Sequence, residues 1–501
     1  MSAPGVGANE PLAQAGALAR SLAARLGATL IETHISWVLL AGEHAYKLKK
    51  PVRLPFVDYA TLARRRHCCE EELRLNRRLA PSLYLGVIAI TGDAQAPALG
   101  GNGEPIDYAV HMRRFPADAL LGERLRTQRL GEPEIDACAE RLARFHREAP
   151  VAPADSGFAS PVQRAAVAMA ALQGAAPLCS ADETAVLSRW LGAQSLRLAA
   201  HWADRLRGGH VRECHGDLHL DNLIAVEGGV EAFDGIEFDP ALRWIDVIDD
   251  IAFVVMDLHA QGRADQAFRL LNAWLDATGE HPGLPGLRHA LVYRALVRAQ
   301  VARMRGRSAE ARRYVDAALH WVRHAPPWLA VMHGLPGSGK SFISQRLLQA
   351  HGAIRLRSDV ERKRLFGLAA SADSRARGLD IYGGGATRRT YDTLFAFARM
   401  ALEAGWPVVL DAAFLRRDER EAAAALARRA RVPWRIVHCE APADVLRARL
   451  RKRRGDASEA DEGTLEMLQG AQDPLTDEED LRVENASLLT GDALAAADGQ
   501  P

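Results

Sequence analysis

Two stretches of this sequence hold residue types whose spacing suits phosphate chemistry. The first is Gly334-Leu335-Pro336-Gly337-Ser338-Gly339-Lys340-Ser341, a G-x-x-x-x-G-K-S run between the apolar Ala330-Val331-Met332-His333 and a helical pattern that opens at Phe342. Strand, glycine loop and helix in that order bring backbone N–H groups and a helix N-terminus onto anionic oxygens. The glycines let the backbone wrap phosphates without a Cβ, Lys340 reaches β- and γ-phosphates, and the Ser341 hydroxyl suits Mg²⁺. The bland alternative is an ordinary glycine turn, and the flanking strand and helix patterns speak against it. The segment is expected to bind ATP with Mg²⁺.

The second stretch is Cys214-His215-Gly216-Asp217-Leu218-His219-Leu220-Asp221-Asn222-Leu223, followed by Val230-Glu231-Ala232-Phe233-Asp234-Gly235-Ile236-Glu237. Phosphoryl transfer to a hydroxyl needs an acid to accept the proton and ligands for Mg²⁺. Asp217 suits the first role; Asn222 and Asp234 suit the second. His215 and His219 stand at the i, i+4 spacing of zinc ligands, but no third ligand follows at a suitable spacing.

Only six of the 64 basic residues are lysines: Lys47, Lys49, Lys50, Lys340, Lys363 and Lys452. A chain that supplies positive charge almost wholly as Arg keeps Lys where a compact ammonium is wanted, and phosphate binding is one such place. This directs attention to residues 47–50. The β-prone runs His34–Leu40 and Ala45–Lys49 flank Ala41-Gly42-Glu43-His44 and read as a hairpin, with Lys47 and Lys49 on one face of its second strand. A helix predicted over Tyr59–Leu79 follows, with Glu70, Glu71 and Glu72 in its middle. A strand Lys and a helix Glu can pair to position ATP phosphates; the alternative is a solvated charged helix beside a strand guarded by lysines.

Around the glycine loop, three further apolar runs read as strands of one open parallel sheet: Ala353–Ser358 ending at Asp359, Trp406–Leu410 ending at Asp411, and Trp434–Cys439. Ligands of such sheets lie beyond the carboxyl ends of the strands, which puts Asp359 beside the glycine loop and lets Asp411 help bind Mg²⁺. Asp444–Arg454 is an arginine-dense helix, expected either to close over the nucleotide with Arg449 and Arg453 or to be a solvated basic face.

The length of 501 residues suggests two to four domains, and Pro326-Pro327 marks a linker between 1–325 and 328–501. Gly283–His324 is expected to be helical, with a core of Leu291, Leu296, Val297, Val301, Ala318 and Val322 and with its arginines on a solvated face. A net charge of +1 gives no warrant for duplex nucleic-acid or membrane-surface binding. The six cysteines lack metal or disulfide spacing, the N-terminus has no signal-peptide pattern, and no apolar run reaches the roughly 18 residues of a membrane span. A cytoplasmic location is expected.

The H-G-D-x-H-x-x-N and F-D-G motifs resemble those of the aminoglycoside phosphotransferase and choline kinase branch of the protein-kinase-like fold, over roughly residues 25–320. The resemblance implies Asp217 as catalytic base, Asn222 and Asp234 as metal ligands, His215 as a structural residue, Lys47 paired with Glu72, and Asp249 or Asp250 as a brace. One departure is that no glycine-rich loop precedes Lys47. Ser358-Asp359-Val360-Glu361-Arg362-Lys363 and the glycine loop resemble P-loop kinases of the polynucleotide kinase, zeta toxin and gluconate kinase type, in which the acid after the second strand activates the acceptor hydroxyl. Together the halves resemble a bacterial two-domain family. The fold class implied is an α+β protein-kinase-like domain followed by an α/β P-loop domain with a parallel sheet. The function implied is transfer of the ATP γ-phosphate to a hydroxyl of a small molecule or nucleic-acid end. An ATPase switch coupled to a non-catalytic sensing module is the alternative.

Overall fold

The computed structural model describes residues 10–54, 57–323, 325–374, 376, 378–379, 381–452, 457–480 and 483–485. Contacts gather these into two units, 1–163 with 203–254, and 164–202 with 255–501.

The first unit is built on a six-stranded antiparallel sheet in the order Thr29–Glu32, Ser36–Ala41, His44–Lys49, Asp107–Arg113, Tyr84–Thr91, Ala98–Leu99. The expected hairpin is present, closed by the two-residue turn Gly42-Glu43 with Ala41 opposite His44. Strand alternation then divides its second strand between two layers. Leu48 faces the helix Glu10–Leu26, in a core of Leu18, Leu22, Trp37 and Ile90. Ala45 faces the other way, toward Cys69 of the helix Leu62–Asn76, with Tyr84 and Val110. Lys47 and Lys49 share the phase of Ala45 and reach that helix. The helix starts where the Thr61 side chain accepts from Arg64 N.

In the second unit a parallel sheet runs Ile354–Arg357, Val408–Asp411, Leu329–His333, Trp434–His438, Val483–Asn485. The strand Leu329–His333 is central and buried at all five positions, as its unbroken apolar run requires. Helices Ala264–Thr278, Leu284–Met304 and Ser308–Val322 belong to the same unit. Trp406, just before a sheet strand, lies between them: Phe268 and Trp321 are 6.1 and 6.0 Å away, and the Arg288 guanidinium covers its ring at 4.5 Å.

The solvated face expected of the arginines in Gly283–His324 holds for Arg303, Arg305, Arg307 and Arg313, which are exposed, but not for Arg288, Arg294 and Arg298, which are buried in the helix Leu284–Met304. The helix is enclosed nearly all round, and long arginine stems suit such places when the head finds a partner. Arg288 donates to Gly405 O at 2.9 Å, and Arg298 donates to Tyr314 Oη at 3.4 Å. Leu291, Leu296 and Ala318 are buried as expected, while Val297, Val301 and Val322 are half-buried. The cysteines are free thiols. Among the described residues no helix is long and apolar enough to cross a membrane.

Candidate functional site

The glycine loop joins the central strand to the helix Lys340–His351. Gly334, Gly337 and Gly339 adopt φ of 139°, 83° and 101°. A Cβ on Gly334 would stand 2.1 Å from Cys439 O and one on Gly337 3.1 Å from Leu446 O, so the loop passes too close to its neighbours for side chains. Lys340 Nζ donates to Gly334 O at 2.7 Å and Leu335 O at 2.9 Å, folding the ammonium back over its own loop. The Leu335 side chain packs with Leu446, Leu450 and Leu465. That packing holds the helix Ala443–Lys452 against the loop and lets Arg449 Nη1 donate to Gly337 O at 3.0 Å.

A cavity of about 1660 Å³ opens beside this loop. Pro336 to Ser341 and Arg449 line it, as do Asp359, Arg362, Tyr382 and Asp411. The expected acid positions thus converge on the loop. Asp411 ends its strand buried, accepts from Ser344 Oγ at 3.0 Å, and lies 3.8 Å from Arg357 Nε. Ser344 is on the helix that begins at Lys340, so this bond ties the acid to the phosphate loop. Asp359 makes no hydrogen bond or ion pair with another described residue. Arg449 reaches the cavity as expected, whereas Arg453 lies outside the described residues. Arg451, on the same helix, turns to Glu462 at 3.1 Å on the surface.

Sequence reasoning left Arg362 without a specific role. Its Nη1 donates to Ile381 O and Thr387 Oγ1 at 3.1 and 3.0 Å, its plane covers Tyr382, and its buried Nε has no partner. Lys363, next to it in the motif, points away and is held by Ala370 O and Glu459.

The kinase-like constellation lies wholly in the first unit. Lys47 Nζ is 2.9 Å from Glu72 Oε1 and also pairs with Asp234. Burial works against its charge, but Asp234 and Glu72 hold Lys47 well above the ordinary lysine value. Glu72 is the one of the three consecutive acids that is fully buried; its second oxygen takes Lys49, which also pairs with Glu237, and Tyr59 Oη donates to Glu237. Glu237 and Tyr59 had no signal in the sequence beyond the position of Glu237 three residues after Asp234.

Asn222 Nδ2 donates to Asp217 O at 3.0 Å and to its carboxylate at 3.2 Å. His215 Nε2 lies 2.9 Å from Phe233 O while its Nδ1 accepts from Asp217 N at 3.2 Å, which assigns a neutral ring with the proton on Nε2. Burial lowers the His215 pKa in agreement. The zinc reading therefore fails, since neither ring nitrogen is available. Asp250 holds not the segment after Asp234, as expected of a brace, but the turn before Asp217, accepting from His215 N at 3.1 Å and Gly216 N at 2.9 Å, with His146 Nε2 at 3.0 Å. Burial opposes its ionisation, yet His146 and these donors hold Asp250 below the usual carboxylate range. His146, Cys214 and Asp250 lie close enough together to suggest a metal site. The thiol, pushed well up by burial, instead donates to Ile245 O, and the carboxylate is already taken. Asp234 has φ +62°, a left-handed conformation that Asp tolerates better than most residues. Before Lys47, the link between the first two strands is only Thr33-His34-Ile35, closed by Thr33 Oγ1 accepting from Ser36 N at 3.0 Å. The departure noted in the sequence is real in the fold.

The protein known as Uncharacterized protein Rv2004c of Mycobacterium tuberculosis is 30% identical over 440 residues, covering 86% of this chain and 87% of its own. The chain belongs to the family of this mycobacterial protein. Within this family member, residues 329–475 match the family model described as AAA domain. Two solved structures are similar to parts of the chain. A thermostable mutant of aminoglycoside phosphotransferase APH(4)-Ia aligns with 61% of this chain and 98% of its own at 15% identity and a TM-score of 0.38. A sugar kinase from Janibacter sp. HTCC2649 aligns with 34% and 95% at 20% identity and a TM-score of 0.26.

Proposed function

We propose that the protein is an ATP-dependent phosphotransferase whose acceptor site is the cavity beside the glycine loop. The observation that carries this reading is the convergence, around one cavity, of the glycine loop with an acid that makes no hydrogen bond or ion pair with another described residue: Lys340, Ser341, Arg449, Asp359 and Arg362 all line it. ATP phosphates would lie against the loop N–H groups, with Lys340 exchanging its carbonyl partners for phosphate oxygens. Asp359 would accept the acceptor's hydroxyl proton as the γ-phosphate is transferred. Arg362, buried with an unsatisfied N–H, favours an acceptor of negative charge beside that hydroxyl. Ser341 and Asp411 are an oxygen donor set that fits Mg²⁺, which would neutralise phosphate charge there.

The test uses the full chain with Asp217→Asn, which silences catalysis in the kinase-like half. Lys340→Ala is expected to lower ATP turnover by orders of magnitude, since charge stabilisation of this kind is worth several kcal/mol. Asp359→Asn should abolish transfer to an acceptor while leaving ATP binding intact. Unchanged turnover in Lys340→Ala would refute the assignment.

A second reading is favoured by the direct contact of Lys47 with Asp234 and the closed Thr33 turn: the kinase-like half senses a ligand, and the P-loop half is an ATPase switch. ATP hydrolysis at one rate across panels of hydroxylated small molecules and nucleic-acid ends, with no phosphorylated product, would select it.

A further inference from the structure

The helix Ala264–Thr278 lies outside residues 329–475, yet it holds the elements that carry Asp359 and Asp411 at three points. First, the buried Asn272 amide pairs with the edge of the sheet: Nδ2 donates to Ala353 O at 3.0 Å and Oδ1 accepts from Arg355 N at 2.7 Å. These two bonds supply what a neighbouring strand would and fix the register of Ile354–Arg357, the strand that leads into Asp359. Second, one turn further on, Asp276 Oδ2 lies 3.4 Å from Arg355 and 3.8 Å from Arg357, and Arg357 in turn lies 3.8 Å from Asp411 Oδ2. Third, the helix ends at Gly279 with φ +79°, and Arg364 Nη2 donates to the terminal carbonyl of Asp276 at 2.5 Å. Arg364 is in the last turn of Ser358–Leu365, the short helix whose first turn holds Asp359.

Arg357 is therefore shared between two acids, one in the helix and one at the phosphate loop. Asp276 is the less enclosed of the two, but its Oδ1 is buried with no hydrogen-bond partner, so its charge depends on the surrounding arginines. Without Asp276, Arg357 loses one acid partner while Asp411 stays 3.8 Å away, and the carboxylate expected to serve Mg²⁺ takes a larger share of the arginine's charge.

We infer that Asp276 is a positioning residue for the P-loop site, holding Arg357 off Asp411 and, with Asn272, fixing the strand that presents Asp359. The inference rests on the phosphotransferase reading of that site. A helix that the sequence places in the kinase-like half is thus part of the second half's working site.

The experiment measures Lys340-dependent ATP turnover against Mg²⁺ concentration, using the full chain with Asp217→Asn. Asp276→Asn is expected to raise the Mg²⁺ needed for half-maximal turnover roughly tenfold, the size of couplings inside one ion-pair network. Arg357→Met removes the residue through which Asp276 acts, so adding Asp276→Asn to it should bring no further change in Mg²⁺ dependence. A purely structural role would lower the melting temperature and leave the Mg²⁺ dependence of the folded enzyme alone; that result overturns the inference, as does an additive effect in the double variant. Should Asp276→Asn fail to fold, Asp276→Glu takes its place: the displaced carboxylate should change the Mg²⁺ requirement in the chain that keeps Arg357 and leave it unchanged in the Arg357→Met chain, and an equal shift in both overturns the inference. Wild type with no Lys340-dependent turnover overturns the phosphotransferase reading and this inference with it. Turnover with unaltered Mg²⁺ dependence in the variants overturns the inference alone.

Discussion

Lys49 has no exposed surface and keeps its charge because Glu72 and Glu237 hold it from two sides. Burial disfavours the ammonium, but the two carboxylates hold it well above the ordinary lysine value. Lys49→Met would leave two buried carboxylates sharing less positive charge, a loss of about 3–5 kcal/mol for a broken buried pair. Urea unfolding of the full chain should show it, and a change below about 1 kcal/mol would contradict the assigned pairing. Glu72 is also the partner of Lys47, so this variant should weaken nucleotide binding in the kinase-like half as well. Asp217→Asn and Asp234→Asn separate that half's two possible roles. In the Lys340→Ala background, phosphate transfer should fall with either change if the half is catalytic, whereas a sensor should bind nucleotide normally with the first and poorly with the second.

At the scale of elements, the short helical turn His281–Gly283 places an imidazole where its ring cannot hydrogen-bond. His281 is fully buried, stacks on Phe397 at 5.0 Å, and neither ring nitrogen has a hydrogen-bond partner, although Glu361 Oε1 lies 3.8 Å from Nδ1. Burial, helped by Arg364, pushes its pKa down to about 3. The unfolded chain would bind this proton from about pH 6.5 downward while the folded chain would not. The unfolded state therefore carries more protons between those values, and stability rises with pH across that window and is lost as pH falls through it. His281→Phe keeps the stacking and removes the titration. Its stability relative to wild type should be greater at pH 5 than at pH 8 when both are measured by urea unfolding; an equal difference at the two pH values would show that the ring does not titrate on unfolding.

At the scale of the whole molecule, the residues after Pro326-Pro327 do not enclose a complete core. Trp406 owes its burial to Phe268, Arg288 and Trp321, and Gly352 approaches the Phe268 ring so closely that a Cβ would stand 2.8 Å from it. A fragment of residues 328–501 would expose Trp406 and the sheet edge that Asn272 covers. It is expected to aggregate or to lack cooperative unfolding, checked by size-exclusion chromatography and by tryptophan fluorescence during denaturation. A monomeric fragment with a sharp transition would show that these contacts are dispensable.

What the sequence determined by itself is the chemistry that sits in contiguous runs. Gly334 to Ser341, Asp217 with Asn222, and the hairpin that puts Lys47 and Lys49 on one face were legible because loop wrapping, short spacing and strand alternation are local consequences of residue type. Four strands of the parallel sheet were legible for the same reason, as largely apolar runs of which three end in an acid or the glycine loop; the fifth, Val483–Asn485, carried no such pattern. Tertiary structure alone decided which distant charges meet. Nothing in Glu237, Tyr59 or Asp276 announces a partner, since a lone acid or tyrosine reads the same whether it faces water or a buried lysine. The arginines of Leu284–Met304 looked solvated because periodicity reports which face is apolar, not how many neighbours enclose the helix. In the folded unit Arg288 and Arg298 are buried against Trp406 and Tyr314, and Asn272 and Asp276 are brought onto the strand that leads to Asp359.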